Sequence, residues 1–137
     1  MNKRLSMNIT PVKILIVDND KNLCYLIEEC LHDEFPNNVN TKILSEVREA
    51  IDYINNNDID VIITDINFPH FSGKDIIKEI QKKYGEVNGV IITWELSDEI
   101  TQYAFDSGLC CLKKPLDYDE LIYLITPFID NVIGQSC

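Results

Sequence analysis

Short, nearly continuous apolar runs alternate along the chain with stretches whose apolar residues recur every three or four positions. Val12-Lys13-Ile14-Leu15-Ile16-Val17 reads as a strand buried on both faces. Leu23, Ile27, Cys30 and Leu31 then predict a helix over about Lys21 to Phe35, capped by Asn19 or Asp20 and ended near Pro36. A second strand follows around Asn40 to Leu44. Ser45 is the expected cap of a helix carrying Val47, Ala50, Ile51 and Ile54, closed by the polar run from Asn55 to Asp58. Asp60-Val61-Ile62-Ile63-Thr64 repeats the buried-strand pattern and ends on Asp65.

The same alternation continues to the end. Ser72 and Asp75 have the spacing of a capping box, opening a helix with Ile76, Ile77 and Ile80 on its apolar side. Val90-Ile91-Ile92-Thr93 is a fourth strand, and Ser97 caps a helix bearing Ile100, Tyr103 and Ala104, with Gly108 at its end. Cys110-Cys111-Leu112 makes a short fifth strand, and Lys113-Lys114-Pro115 turns the chain. Asp117 to Glu120 opens a last helix whose expected inner face is Leu121, Leu124, Ile125, Phe128 and Val132. Pro127 lies inside that pattern, so a kink or break is expected there. Five strands alternating with five helices on short links predict an α/β fold, a doubly wound five-stranded parallel sheet.

Composition narrows the class. The 137 residues suit one domain, and 45% apolar residues supply its core. Asp and Glu number 23 against 12 Lys and Arg, a net charge of −11, so phosphate backbones and anionic lipids are repelled. Neither nucleic acid nor membrane is expected as a direct partner. The absence of a long apolar run or a signal-peptide core points to the cytosol. Cys24, Cys30, Cys110, Cys111 and Cys137 are odd in number without Cys-x-x-Cys spacing, so they read as apolar fillers rather than a disulfide or zinc framework. A redox pair at Cys110-Cys111 is the alternative.

In an open parallel sheet, ligands sit beyond the carboxyl ends of the strands. Four strands send polar residues there: Asp18, Asn19 and Asp20, then Asp65, Thr93 and, just past the fifth strand, Lys114. A single Asp at a strand end is usually a turn former, but here several converge. No glycine-rich loop follows the first strand, which argues against a flavin or nucleotide enzyme. Clustered carboxylates call for a hard cation on oxygen ligands, and Mg²⁺ suits a site with few protein ligands and several waters.

These residues also carry a resemblance. Ile14-Leu15-Ile16-Val17-Asp18, the segment Asp65-Ile66-Asn67-Phe68-Pro69-His70-Phe71-Ser72-Gly73, Ile91-Ile92-Thr93 and Lys113-Lys114-Pro115 occur in the order found in receiver domains of two-component response regulators. The resemblance covers about residues 12 to 133 and implies a flavodoxin-like fold. It implies Asp65 as phosphoacceptor, Thr93 and Lys114 as contacts to the phosphoryl oxygens, and Mg²⁺ held around Asp18, Asn19, Asp65 and Asn67. It further implies an often cis Lys114–Pro115 bond and, as donor, a phosphohistidine on a histidine kinase or phosphotransfer protein.

Several positions depart from the family pattern. The acidic pair after the first strand reads Asp18-Asn19, which predicts weaker Mg²⁺ binding unless Asp20 compensates. Trp94 stands where a small residue is usual, either covering the pocket or turned outward as a partner anchor. Cys111 replaces the usual signalling aromatic, putting the customary Thr-to-aromatic relay in doubt. Asn67 and Glu95 occupy positions that tune phosphoryl lifetime in the family. His32 and His70 have no partner ligand in the sequence and read as surface residues.

The expected organisation is a flexible tail at residues 1–10 and a receiver at 11–134, standing alone and passing its signal to an unknown downstream protein. It is expected to be a phosphoacceptor rather than a turnover enzyme. The alternative is a pseudo-receiver, an interaction module independent of phosphorylation.

Overall fold

A computed structural model describes residues 10–136; the first nine residues of the expected tail, and Cys137, lie outside them. The strands are β1 (Val12–Val17), β2 (Val39–Leu44), β3 (Val61–Asp65), β4 (Gly89–Thr93) and β5 (Cys110–Lys113). Between and after them run α1 (Lys21–Glu34), α2 (Val47–Asn56), α3 (Gly73–Tyr84), α4 (Asp98–Ser107) and α5 (Tyr118–Ser136). All pairings are parallel, in the order β2-β1-β3-β4-β5. This is the doubly wound α/β sheet expected from the alternation.

Period-2 alternation within each strand divides the core into two layers. Ile14, Ile16, Ile63, Val90 and Ile92 face α1 and α5, meeting Ile27, Leu31, Leu121 and Ile125. Leu15, Val17, Ile62 and Ile91 face α2, α3 and α4, meeting Ala50, Ile54, Ile76, Ile77 and Ala104. β1, β3 and β4 are interior strands covered on both sides, which is why their sequences read as unbroken apolar runs.

Most predicted caps form. Asp20, rather than Asn19, caps α1, its carboxylate accepting the Leu23 N–H at 3.2 Å. Ser72 accepts from Lys74 N–H, Ser97 from Ile100 N–H, and Asp117 from both Asp119 and Glu120 N–H. Two expectations need correction. Ser45 does not cap α2: burial of Val47 with Ala50 and Ile54 sets the first turn one residue later, and Glu46 occupies the cap position without a side-chain bond. Of the kink or break expected at Pro127, the break does not occur: Pro127 lies inside one continuous helix. Pro127 and Tyr123, whose carbonyl loses its i+4 donor, are both exposed, so the missing hydrogen bond falls on the side that water can satisfy. The buried line of α5 is Leu121, Ile125, Ile129 and Ile133; Leu124, Phe128 and Val132 pack at its margins.

Among the described residues no helix is long and apolar enough to cross a membrane. Of the cysteines, Cys24 is buried and Cys30, Cys110 and Cys111 are half-buried free thiols. Burial, reinforced by the charges of Asp18 and Asp20, pushes the Cys24 thiol up to about 12, so it behaves as an apolar filler. Both histidines are at the surface. His32 Nε2 meets the Thr41 hydroxyl at 3.0 Å, and that hydroxyl donates to Glu28.

Candidate functional site

Register brings the site together. Val17 of β1 is paired with Thr64 of β3, so Asp18 and Asp65 stand side by side at the end of the sheet. Thr93 of β4 is opposite Lys113 of β5, and the Lys114 N–H donates to the Thr93 carbonyl at 2.8 Å, which brings Lys114 to the same edge. These four side chains are almost sealed from solvent: Asp18 and Thr93 are 0% exposed, Lys114 3% and Asp65 5%. Buried charge of this kind persists only when paired.

The pairing is a three-membered ion cluster. Lys114 Nζ lies 2.6 Å from Asp18 Oδ2 and 3.0 Å from Asp65 Oδ2. Asp18 Oδ1 accepts the Asp20 N–H at 2.8 Å, and Asp65 Oδ1 accepts the N–H groups of Ile66 and Asn67 at 2.6 and 3.0 Å. Every carboxylate oxygen therefore has a donor, and among the described residues no buried side-chain polar atom lacks one. Burial alone pulls the Lys114 ammonium down, but hydrogen bonds from it to Asp18 and Asp65, with their charges, outweigh burial and raise it above its ordinary 10.5. The lysine is charged throughout the physiological range. One ammonium against two carboxylates leaves the cluster one negative charge in excess.

The Thr93 side chain is placed at this edge, but its hydroxyl bonds to neither Asp65 nor the Lys114 ammonium. Its hydroxyl is engaged locally, accepting the Glu95 N–H at 3.3 Å and facing the Glu95 carbonyl at 3.5 Å. Both distances are at the long end for a hydroxyl. Of the remaining expected metal residues, Asn19 and Asn67 are exposed beside the buried pair. Asn67 is tied through its backbone to Asp65 and bridges Ser72 across the loop. Asn19 lines a cleft of about 680 Å³ with Ser45, Phe68 and Phe71, where the Arg48 guanidinium covers the Phe71 ring. Asp20 is spent as the α1 cap.

Three features of this edge became definite only in the structure. The Lys114 ammonium bridges both carboxylates, a contact between residues 96 and 49 positions apart along the chain. Gly73 packs so closely under the acceptor that a Cβ there would strike the Asp65 carbonyl oxygen and Ile66 Cα. Trp94 is 61% exposed, yet its ring lies 5.9 Å from Lys114 Nζ. The second had a signal in the glycine closing the Asp-x-x-x-Pro-x-x-x-Gly segment, and the third in Trp94 itself, which stands where a small residue is usual. The Lys114–Pro115 bond is cis, as the resemblance implied.

The sequence model of the response regulator receiver domain matches residues 14–126. The chain belongs to that family. Its curated relatives include the response regulator SaeR of Staphylococcus aureus, 28% identical over 120 residues, which are 87% of this chain and 51% of SaeR. The chain thus spans about half the length of that relative. Among solved structures, the receiver domain of Francisella response regulator 1452 is 28% identical with a TM-score of 0.75, covering 89% of this chain and 98% of that one. The receiver domain of a putative LuxO repressor from Vibrio parahaemolyticus has the same fold, with a TM-score of 0.80 at 20% identity over 92% and 95% of the two chains. As a response regulator receiver domain, the chain belongs to two-component signal transduction.

Proposed function

We propose that this receiver accepts a phosphoryl group on Asp65 from a phosphohistidine in a Mg²⁺-dependent step, and that the phosphorylated form is read through protein contacts. The observation carrying this reading is the buried Lys114 ammonium shared by Asp18 and Asp65. Asp65 Oδ1 is fixed by two backbone N–H groups, which aims the carboxylate as a nucleophile, while Oδ2 faces the ammonium. In the transfer, the donor P–N bond breaks as a P–O bond to Asp65 forms, and the imidazole leaves with the electron pair. Lys114 meets the phosphoryl oxygens as a point charge. Thr93, whose present bonds to Glu95 are long, turns to donate its hydroxyl. Asp65 is consumed once per event and regenerated by hydrolysis, so the protein is a phosphoacceptor rather than a turnover enzyme.

The donor set fits Mg²⁺. Two carboxylates, which with the Lys114 ammonium leave one net negative charge, beside amide and backbone oxygens at the surface, match a hard cation that keeps several waters. Asp18 and Asp65 would hold it, with oxygens of Asn19 and Asn67 at the rim. When bound it supplies charge neutralisation for the equatorial phosphoryl oxygens. Asn19 contributes no charge, so Asn19→Asp is expected to tighten Mg²⁺ binding about tenfold, allowing for partial screening at the surface. A Mg²⁺ titration followed by Trp94 emission measures this; equal affinity in the two proteins would remove Asn19 from the metal set.

The central test is intact mass after incubation with Mg²⁺ and phosphoramidate. A phosphoryl adduct is expected on the wild type and not on Asp65→Asn. If neither this donor nor a phosphohistidine protein yields an adduct, the pseudo-receiver reading stands instead. The observation that favours that second reading is the Trp94 ring over the Lys114 ammonium.

A further inference from the structure

Lys114 Nζ has three neighbours of unequal strength: two carboxylate oxygens at hydrogen-bonding distance and, at 5.9 Å, the face of Trp94. The cation–π contact is the weakest, being made at a largely exposed ring. Whatever draws the ammonium toward a stronger anion gives up that contact first. A phosphoryl group on Asp65 is such an anion, with up to two charges and three acceptor oxygens.

The other route out of the site is poorly furnished here. In β5 the Cys111 thiol makes a long contact to the Ile100 carbonyl of α4 at 3.9 Å, and α4 is independently tied to α3. Lys74 covers the Tyr103 ring at 4.7 Å and approaches Glu99 at 3.9 Å. Trp94, by contrast, joins the buried cluster to the surface within one side chain, and Leu96 lies exposed two residues on, before α4 begins.

We propose that Trp94 is the read-out element of this receiver: its indole rests over the Lys114 ammonium in the unphosphorylated protein and is released when that ammonium is drawn onto the phosphoryl group. The Trp94–Leu96 strip is then the surface that changes for a partner. This rests on phosphorylation of Asp65 and adds to it the path by which that event reaches the surface. Lys114 acts twice, on the phosphoryl oxygens and, through its withdrawal, on the indole; Trp94 is a positioning residue that touches no reacting atom.

Trp94 is the single tryptophan of the chain, so its emission reports one side chain. Phosphoramidate is added to the Mg²⁺-saturated protein, and intact mass and acrylamide quenching are followed on the same samples. The quenching constant is expected to rise about twofold in proportion to the adduct, as an aromatic face loses its cation, and to fall back as the adduct hydrolyses. A reporter carrying Trp94→Phe with Phe105→Trp places the indole on exposed α4, away from the ammonium, and its quenching is expected to stay constant while the adduct forms. An adduct with unchanged Trp94 quenching overturns the relay and leaves the phosphoacceptor reading intact. An equal change in the α4 reporter also overturns it, because the response is then general. No adduct in either protein, with phosphoramidate and with a phosphohistidine protein as donor, overturns both readings together.

Discussion

Replacing Lys114 by alanine is expected to cost about 3–5 kcal/mol of folding stability, the range for removing one partner from a buried ion pair, and to lower Tm by on the order of 10 °C. The lysine lies between Asp18 at 2.6 Å and Asp65 at 3.0 Å, all three nearly inaccessible to water. Its loss leaves two neighbouring buried carboxylates with only backbone N–H groups to hold them. The pH window follows from the direction of the lysine's shift. Its protonation equilibrium is raised on folding, so the stabilisation it provides is complete below the ordinary 10.5 and declines as pH climbs above that value toward the folded one. The deficit of Lys114→Ala is therefore full at pH 7 and shrinks in strongly alkaline buffer. Urea unfolding at pH 7 measures it. If the cluster also holds Mg²⁺, millimolar Mg²⁺ should restore more stability to the variant than to the wild type, because there it replaces the only cation. A loss below about 1 kcal/mol, the size of a solvated surface pair, would show that water reaches the cluster.

Gly73→Ala is expected to impair both stability and reactivity. Gly73 begins α3 with ordinary negative dihedral freedom, so the demand for glycine is spatial: an added Cβ meets the Asp65 carbonyl oxygen, the Asp65 carbonyl carbon and Ile66 Cα. None of these is the flexible end of a side chain. The Gly73 N–H also donates to the Ile66 carbonyl at 2.8 Å, so helix and acceptor loop cannot separate without losing that bond. Forced overpacking of this type costs about 1–3 kcal/mol. Because the strained backbone is that of Asp65 itself, its carboxylate turns away from Lys114, and a displacement near 1 Å slows a positioned reaction by about a hundredfold. Phosphorylation rates by phosphoramidate, read alongside thermal unfolding, check the two effects. A rate within about twofold of wild type in a destabilised variant would mean that the loop relaxes without moving the carboxylate.

The two predictions differ in how visible their residues were. Gly73 stood in a recognisable segment, and Asp65, Asp18, Thr93 and Lys114 could each be placed at a strand end because the strands are marked by apolar runs such as Val61 to Ile63. Caps at Asp20, Ser72 and Ser97 were legible because capping is decided within one helical turn. The misplaced features are those settled by packing. Val47 had to be buried, so α2 starts past Ser45. Pro127 reads as a breaker, but the broken bond falls on the solvent side of α5, where it is tolerated. The innermost line of α5 runs through Leu121, Ile125, Ile129 and Ile133 at a spacing of four, and contact with the sheet, not the sequence, selects this row over the neighbouring Leu124, Phe128 and Val132.

What the residue order determined unaided is local: where strands and helices occur, which ends carry carboxylates, and that the chain carries the receiver pattern. Hydrophobic periodicity and capping act over a few residues, so they leave a record in a short window. The tertiary structure alone decided that one ammonium serves both Asp18 and Asp65, that Thr93 is turned to Glu95, and that Trp94 faces Lys114. Those contacts depend on the register of β1 against β3 and β4 against β5. Register is chosen by the summed packing of both sheet faces, which no segment of the chain contains by itself.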